Sequence, residues 1–214
     1  MSMPAVQASM PFTAEDLRQR FETRKDEPGT GVEFGDHLLN PDIVQLMEDR
    51  DAREAAVLVP VVDRAEGASV ILTERSRSLR KHSGQIAFPG GSVDPEDASV
   101  EAAALREARE EIDLAARHVE ILGRLPRYLT TTGFRITPVV AIVAPGFKLK
   151  ANPDEVADIF ETPLSFLMNA ANHRRASRAF GGVERHFYEM PHGERYIWGV
   201  TAGILRTLYE RYYA

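Results

Sequence analysis

The chain has 214 residues, 43% of them hydrophobic and 27% charged, with 26 Lys and Arg against 32 Asp and Glu for a formal net charge of −6. That length supports one domain whose core needs no staples, and the acidic balance excludes a protein that sheathes nucleic acid through a generally basic surface. With no cysteine in the sequence, a disulfide scaffold, a thiolate zinc site and a cysteine nucleophile are excluded too.

Residues 1–12 lack periodicity and read as a loose tail. They also lack the basic start and apolar core of a signal peptide, and the longest apolar runs, such as Ala55 to Val62, are too short to span a bilayer. A cytoplasmic protein with no membrane partner is expected. Thr13 stands as the N-cap of a helix running to about Arg24. Asp26 to Gly35 is rich in turn formers and is expected to cross the surface, and Pro41 to Asp51 reads as a short helix. Ala55 to Val62 and Ala68 to Thr73, around Asp63–Gly67, read as strand, turn, strand. Gln85 to Phe88 reads as a brief strand that runs into Pro89-Gly90-Gly91.

Residues 98–112 carry the strongest helical pattern. Beyond them Val119 to Leu122 and Thr137 to Val143 read as strands, and Phe166 to Ala171 as a short helix. Ala176 to Phe180 and Arg185 to Met190, around Gly181-Gly182, read as a hairpin. Trp198 to Tyr213 reads as a terminal helix, with Val200, Ile204, Leu208 and Tyr212 spaced by four on its core face. Strands before, around and after one central helix predict a mixed α/β sandwich.

The central helix divides into two faces. Val100, Ala104, Ala108 and Ile112 recur every four residues, with Leu105 beside them, and form a core stripe. Glu107 and Glu111 share another face, and Glu110 completes a cluster of carboxylates. Like charges at that spacing cost a few tenths of a kcal/mol per pair, a penalty that a hard divalent cation reverses. On the residues alone the cluster is either a solvated face laced with Arg106 and Arg109 or a Mg²⁺ or Mn²⁺ site. The Pro-Gly-Gly loop upstream favours the second reading, because glycine lets backbone approach an ion or phosphate closely.

The segment Phe88 to Leu114 resembles the Nudix box. Arg106, Glu107, Ala108, Glu110, Glu111 and Leu114 match its helical half. Counted from Gly91, the first acid falls on Asp97, one residue further from Arg106 than the pattern has it, and Asp113 occupies the usual glycine position. The resemblance implies that Asp97 partners Arg106, while Asp tolerates the left-handed turn expected at position 113. Upstream, Thr73, Arg75, Ser76, Arg80, Gly84 and Phe88 to Gly91 match the additional signature of the coenzyme A diphosphatase branch of the same family. Asn152 to Phe166 and Tyr196 to Leu205 look like that branch as well.

The resemblance implies a Nudix-type α/β/α sandwich with a mixed sheet and the catalytic loop and helix on one side. It places the hydrolase domain over residues 51–214, with residues 1–50 as a tail and helices available for a cap or a homodimer contact. It implies that Glu107, Glu110, Glu111 and the Gly90 carbonyl hold Mg²⁺ or Mn²⁺, that Arg106 serves catalysis, and that the proton acceptor is either Glu110 or Glu155, with Glu161 behind them; on the residues alone Glu155, in Asn152-Pro-Asp-Glu, reads as a turn with solvated acids. Arg75, Arg80 and Gly91 would bind a small-molecule nucleotide, coenzyme A, cut to 3′,5′-ADP and 4′-phosphopantetheine. Two readings stand beside this one: a Nudix hydrolase for another substrate, such as ADP-ribose or a nucleoside triphosphate, and a non-catalytic Nudix-fold nucleotide sensor. On charge alone the cations of residues 75–82 are either phosphate contacts or a solvated loop, and Thr130 to Phe134 either shapes the pocket or is a plain loop.

Overall fold

A computed structural model of the chain describes residues 11–24, 34–41, 52–79 and 81–214. In chain order these form α1 (Ala14–Thr23), β1 (Phe34–Gly35), β2 (Arg53–Val62), β3 (Ser69–Arg75), β4 (Ile86–Ala87), β5 (Gly90–Ser92) and α2 (Val100–Ile112). Then come β6 (Val119–Arg124), β7 (Tyr128–Leu129), β8 (Phe134–Val143), β9 (Val156–Pro163), α3 (Leu164–Leu167), β10 (Arg174–Phe180), β11 (Val183–His192), β12 (Arg195–Trp198) and α4 (Val200–Tyr212). Among the described residues no helix is long and apolar enough to cross a membrane.

The spine is the parallel pair β2 and β8, in register from Arg53↔Phe134 to Val62↔Val143. β2 pairs antiparallel with β3 at one end and with β5 at the other, while β8 pairs antiparallel with β6 and β7. β3 carries β9 along its length and β4 at its far end. The sheet is therefore mixed, and helices cover both faces. Along β2, Ala56, Leu58 and Val62 pack with Ala103, Ala104, Ala108 and Ile112 of α2, whereas Val59 and Val61 pack on the other side with Leu17 and Phe21 of α1 and Ile204 and Leu208 of α4. A period of two splits one apolar run between two cores, the signature of a strand buried on both faces. The sandwich expected from the sequence is the architecture found.

Thr13 caps α1, its side chain accepting from Asp16 N at 3.1 Å. Leu17 and Phe21 enter the core, Phe21 stacking on Tyr212 with ring centroids 4.0 Å apart. Segments that precede position 51 are thus built into the same core as the rest. The expected surface crossing, Asp26 to Gly35, ends in a strand: β1 lies parallel to β7 and joins the sheet. Just after it the half-buried Asp36 accepts from Tyr128 Oη at 2.8 Å and from Thr131 N at 3.2 Å. Burial pushes the Asp36 carboxyl up, so these donors matter. Tyr128→Phe removes the hydroxyl donor from a half-buried acceptor and is expected to lower stability by about 1–2 kcal/mol in chemical denaturation. The segment Thr130 to Phe134 is the turn between β7 and β8, tied to Asp36 through Thr131. The helix expected over Pro41 to Asp51 lies outside the described residues, apart from Pro41 itself.

β10, β11 and β12 make a second, antiparallel sheet. The predicted hairpin is present, and the terminal helix starts later than expected. Trp198 belongs to β12, and Gly199, with a φ of 61° that a side chain disfavours, turns the chain into α4. Met190 and Ile197 of this sheet are fully buried with α4.

Candidate active site

The glycine pair is a strand rather than a free loop. β5 pairs Gly90 with Val57 and Gly91 with Ala56, and Leu58 N donates to Pro89 O at 2.8 Å. A Cβ on Gly90 would stand 2.4 Å from Ala56 O and 2.6 Å from Val57 Cα, so the backbones meet only because that atom is missing. Ser99 caps α2 by accepting from Ala102 N at 3.2 Å. The helix ends on Asp113 at φ 59°, ψ 26°, the left-handed conformation expected where the family pattern has glycine. The loop and the helix so fixed bring Gly90 and Glu111 together, with Gly90 N donating to Glu111 Oε2 at 3.3 Å.

Glu111 is 3% exposed. Burial pushes its carboxyl up to about 7, against the pull of Arg75, whose Nη1 lies 3.9 Å from Oε1. Burial also raises Glu107, and the neighbouring charges of Glu110 and Glu155 raise it further. The Glu107 carboxylate lies directly over Gly91, where a Cβ would stand 2.5 Å from Oε1. Glu110 is the outermost of the three, its side chain 55% exposed.

Arg106 is the hub of the cluster. Its Nε and Nη2 clasp Asp97 at 3.1 and 2.9 Å, Nη1 reaches Glu107 at 2.9 Å and Glu110 at 3.2 Å, and Nη2 also donates to Ser92 O at 3.1 Å. The fork holds Asp97 below the usual carboxylate range. The partnership expected for Asp97 is thus formed despite the extra residue. The sequence did not point to Asp94, which pairs with Arg106 at 3.3 Å; with Asp97 three residues on, it reads as an ordinary acidic turn.

Glu155 comes to this cluster from far along the chain. Its charge raises the carboxyls of both Glu107 and Glu111. Two backbone bonds deliver it: Asn152 N to Glu111 O at 2.9 Å and Ser76 N to Glu155 O at 2.8 Å. The second ties it to the mouth of the basic loop, which Arg75 closes through Arg75 N to Gln85 O at 2.9 Å and Gly84 N to Arg75 O at 3.0 Å. Arg75 Nε is buried with no hydrogen-bond partner among the described residues. Arg80 lies outside the described residues. His82 contacts Gln85 within its own loop at 2.9 Å, in keeping with a structural histidine. Glu161 is not part of the site. It pairs with Arg64 beside the β2–β3 turn, opposite Ile71 in register.

An all-oxygen donor set with surplus negative charge suits a hard dication. The side chains as placed are not a closed ligand set: among the described residues no three His, Cys, Asp or Glu gather closely enough to share one ion. Glu107 and Glu110 turn to Arg106 instead. The chemistry fits, and the carboxylates are held within one helical turn of each other by α2.

A family model described as NUDIX domain matches residues 52–180. The chain is 45% identical over 161 residues to an uncharacterized Nudix hydrolase, NudL, of Citrobacter koseri, covering 75% of this chain and 83% of that protein. It is 43% identical over 171 residues to the NudL protein of Escherichia coli O1:K1, covering 80% and 88%. Among solved structures it resembles the Nudix hydrolase RenU of M. smegmatis, with a TM-score of 0.46, 24% identity, and coverage of 53% of this chain and 72% of that one.

Proposed function

The chain belongs to the Nudix hydrolases, enzymes that cut a nucleoside diphosphate linked to another moiety, and from that premise we propose that its substrate is coenzyme A, free or derivatised, cut to 3′,5′-ADP and 4′-phosphopantetheine. The observation that carries this reading is Arg75. Its guanidinium stands 3.9 Å from Glu111 with a buried Nε left over, at the mouth of a loop that also holds Arg77, Arg80 and Lys81. Guanidinium forks bind phosphate oxygens bidentately, and coenzyme A offers a 3′-phosphate besides its diphosphate.

Glu107, Glu110, Glu111 and the Gly90 carbonyl are the groups that would hold Mg²⁺ or Mn²⁺. When bound, the ion neutralises the diphosphate and makes a water more acidic. Arg106, fixed by Asp97, aims Glu107 and Glu110. Gly91, having no Cβ, lets the Glu107 carboxylate lie against its backbone and contacts the substrate through that backbone, and Arg75 and Arg80 bind phosphate oxygens. Glu155 accepts the proton of the attacking water, since Glu110 is engaged by Arg106 while Glu155 stands close enough to act on two box acids.

Incubation with coenzyme A and Mg²⁺ or Mn²⁺, read by mass spectrometry, tests the substrate, with both products expected. An intact coenzyme A beside cleaved ADP-ribose or nucleoside triphosphate replaces it with the other substrate, and tight nucleotide binding without turnover under either ion makes the chain a sensor. Arg75→Ala is expected to raise KM for coenzyme A about tenfold and for 3′-dephospho-coenzyme A much less, the loss of one charge-assisted contact. An equal rise for both would remove Arg75 from the 3′-phosphate.

A further inference from the structure

Arg75 is the last residue of β3 and Glu155 stands one residue before β9, its antiparallel partner, and the pairing of those strands is interrupted just there. β3 and β9 run in register from Ser69↔Pro163 to Glu74↔Asp158, after which Arg75 pairs with Val156 and Ala157 is passed over. Such a bulge re-aims side chains and commonly lies beside a site. Beyond it the two strands are joined by Arg75↔Val156 and by Ser76 N to Glu155 O.

Side chains of a strand alternate between faces. On β3, Ile71 lies in the core beneath α2, and Arg75 reaches Glu111 of that helix. Val70 and Leu72 lie in the opposite core, and Glu74 shares their face. On that far face Arg195 of β12 spans the two strands. Its Nη1 donates to Glu74 Oε2 at 2.8 Å, its Nη2 donates to Asp158, and its guanidinium lies over the Phe160 ring of β9, 4.2 Å from the centroid. Glu74 and Asp158 are the last matched pair before the bulge. Arg195 itself is anchored by the second sheet, where it pairs with His192, and that sheet packs on α4 through Met190 and Ile197.

We infer that Arg195 is a positioning residue for the hydrolysis: by clamping Glu74 to Asp158 across the last regular pair, it fixes the bulge that presents Arg75 and Glu155 to the box carboxylates from the other side of the sheet. It touches neither those carboxylates nor any group proposed to contact substrate, so its effect passes through the backbone of two strands. A planar fork suits this place, because it serves two carboxylates through different nitrogens while its flat face lies on a ring; an ammonium can bridge the two carboxylates but has no such face. The inference rests on the proposed function for the roles of Arg75 and Glu155, and on the geometry alone for the clamp.

Two measurements on the full chain test it. Arg195→Met is expected to lower kcat about tenfold with KM changed less than about twofold, and Arg195→Lys to recover only part of the loss. In the same variants, hydrogen exchange should quicken at the Ser76 and Val156 amides, which are bonded to Glu155 O and Asn152 O, while Val140 in the central strands keeps its protection. Asp158→Asn should reproduce both effects in milder form. Unchanged kcat, unchanged exchange at Ser76, or exchange quickened equally at Val140 overturns the inference. A wild-type protein without turnover overturns the proposed function instead, and the exchange arm then still decides whether Arg195 holds the junction.

Discussion

Glu111→Gln is expected to reduce kcat by about a thousandfold while the protein stays folded, the scale of several kcal/mol of lost charge stabilisation. The fold should survive because the native carboxylate is a burden to it. Glu111 is 3% exposed, and among the described residues its only hydrogen-bond donor is Gly90 N at 3.3 Å. Glutamine keeps the shape and an acceptor oxygen without the buried charge, so the melting temperature should hold or rise. The same physics gives a pH signature in the ion-free protein. The folded carboxyl, at about 7, binds its proton more tightly than the unfolded one. Its contribution therefore leaves stability highest below the unfolded value near 4.5 and lowers it as pH rises through 7, by at most about 3 kcal/mol. Denaturation curves across that window should show a shallower slope in Glu111→Gln than in the wild type, the remainder coming from Glu107 and Asp36, which burial also raises. A variant that keeps near-normal turnover removes Glu111 from the reaction.

Gly90→Ala is expected to be the most damaging single methyl in the chain's catalytic loop. The added carbon would sit 2.4 Å from Ala56 O and 2.6 Å from Val57 Cα, both backbone atoms of the central strand β2. Neither can turn aside, so β5 must lift off β2. That costs about 3 kcal/mol in overpacking and lost pairing, visible as a fall in urea midpoint. It also withdraws Gly90 N from Glu111, so kcat should fall beyond what partial unfolding explains. Gly91→Ala is the useful comparison. The three atoms nearest its Cβ all belong to the Glu107 carboxylate, the far end of a side chain, so the fold should persist while activity drops. Equal stability of the two variants would contradict the close approach seen at Gly90.

The carboxylate helix was legible from spacing because helical periodicity places Ala104, Ala108 and Ile112 on one face and Glu107 and Glu111 on another without help from the rest of the chain. The central strands were legible for a similar reason: β2 and β8 are apolar runs long enough to be buried on both sides. β9 was not. Its residues alternate poorly, with exposed Ala157 and Glu161 among half-buried neighbours, because a bulge interrupts its phase and one face meets an arginine rather than a core. β1 and β7 are two residues each and exist only through their partners. Trp198 was drawn into the terminal helix because nothing local distinguishes a strand that ends one residue before a left-handed glycine. Glu155 was singled out through the family resemblance, yet its approach to the box depends on bonds from Asn152 to Glu111 and from Ser76 to Glu155. Arg195 carried no local signal at all, since its two partners lie on strands formed much earlier in the chain.

Arg106 has a consequence for how two like charges share one helix. A guanidinium resting between Glu107 and Glu110 answers their mutual repulsion from within the polypeptide. Small zinc modules, by contrast, draw the charge that holds them together from their metal. Taking that guanidinium away would turn a compensated pair of acids into a repulsive one on the same turn of α2.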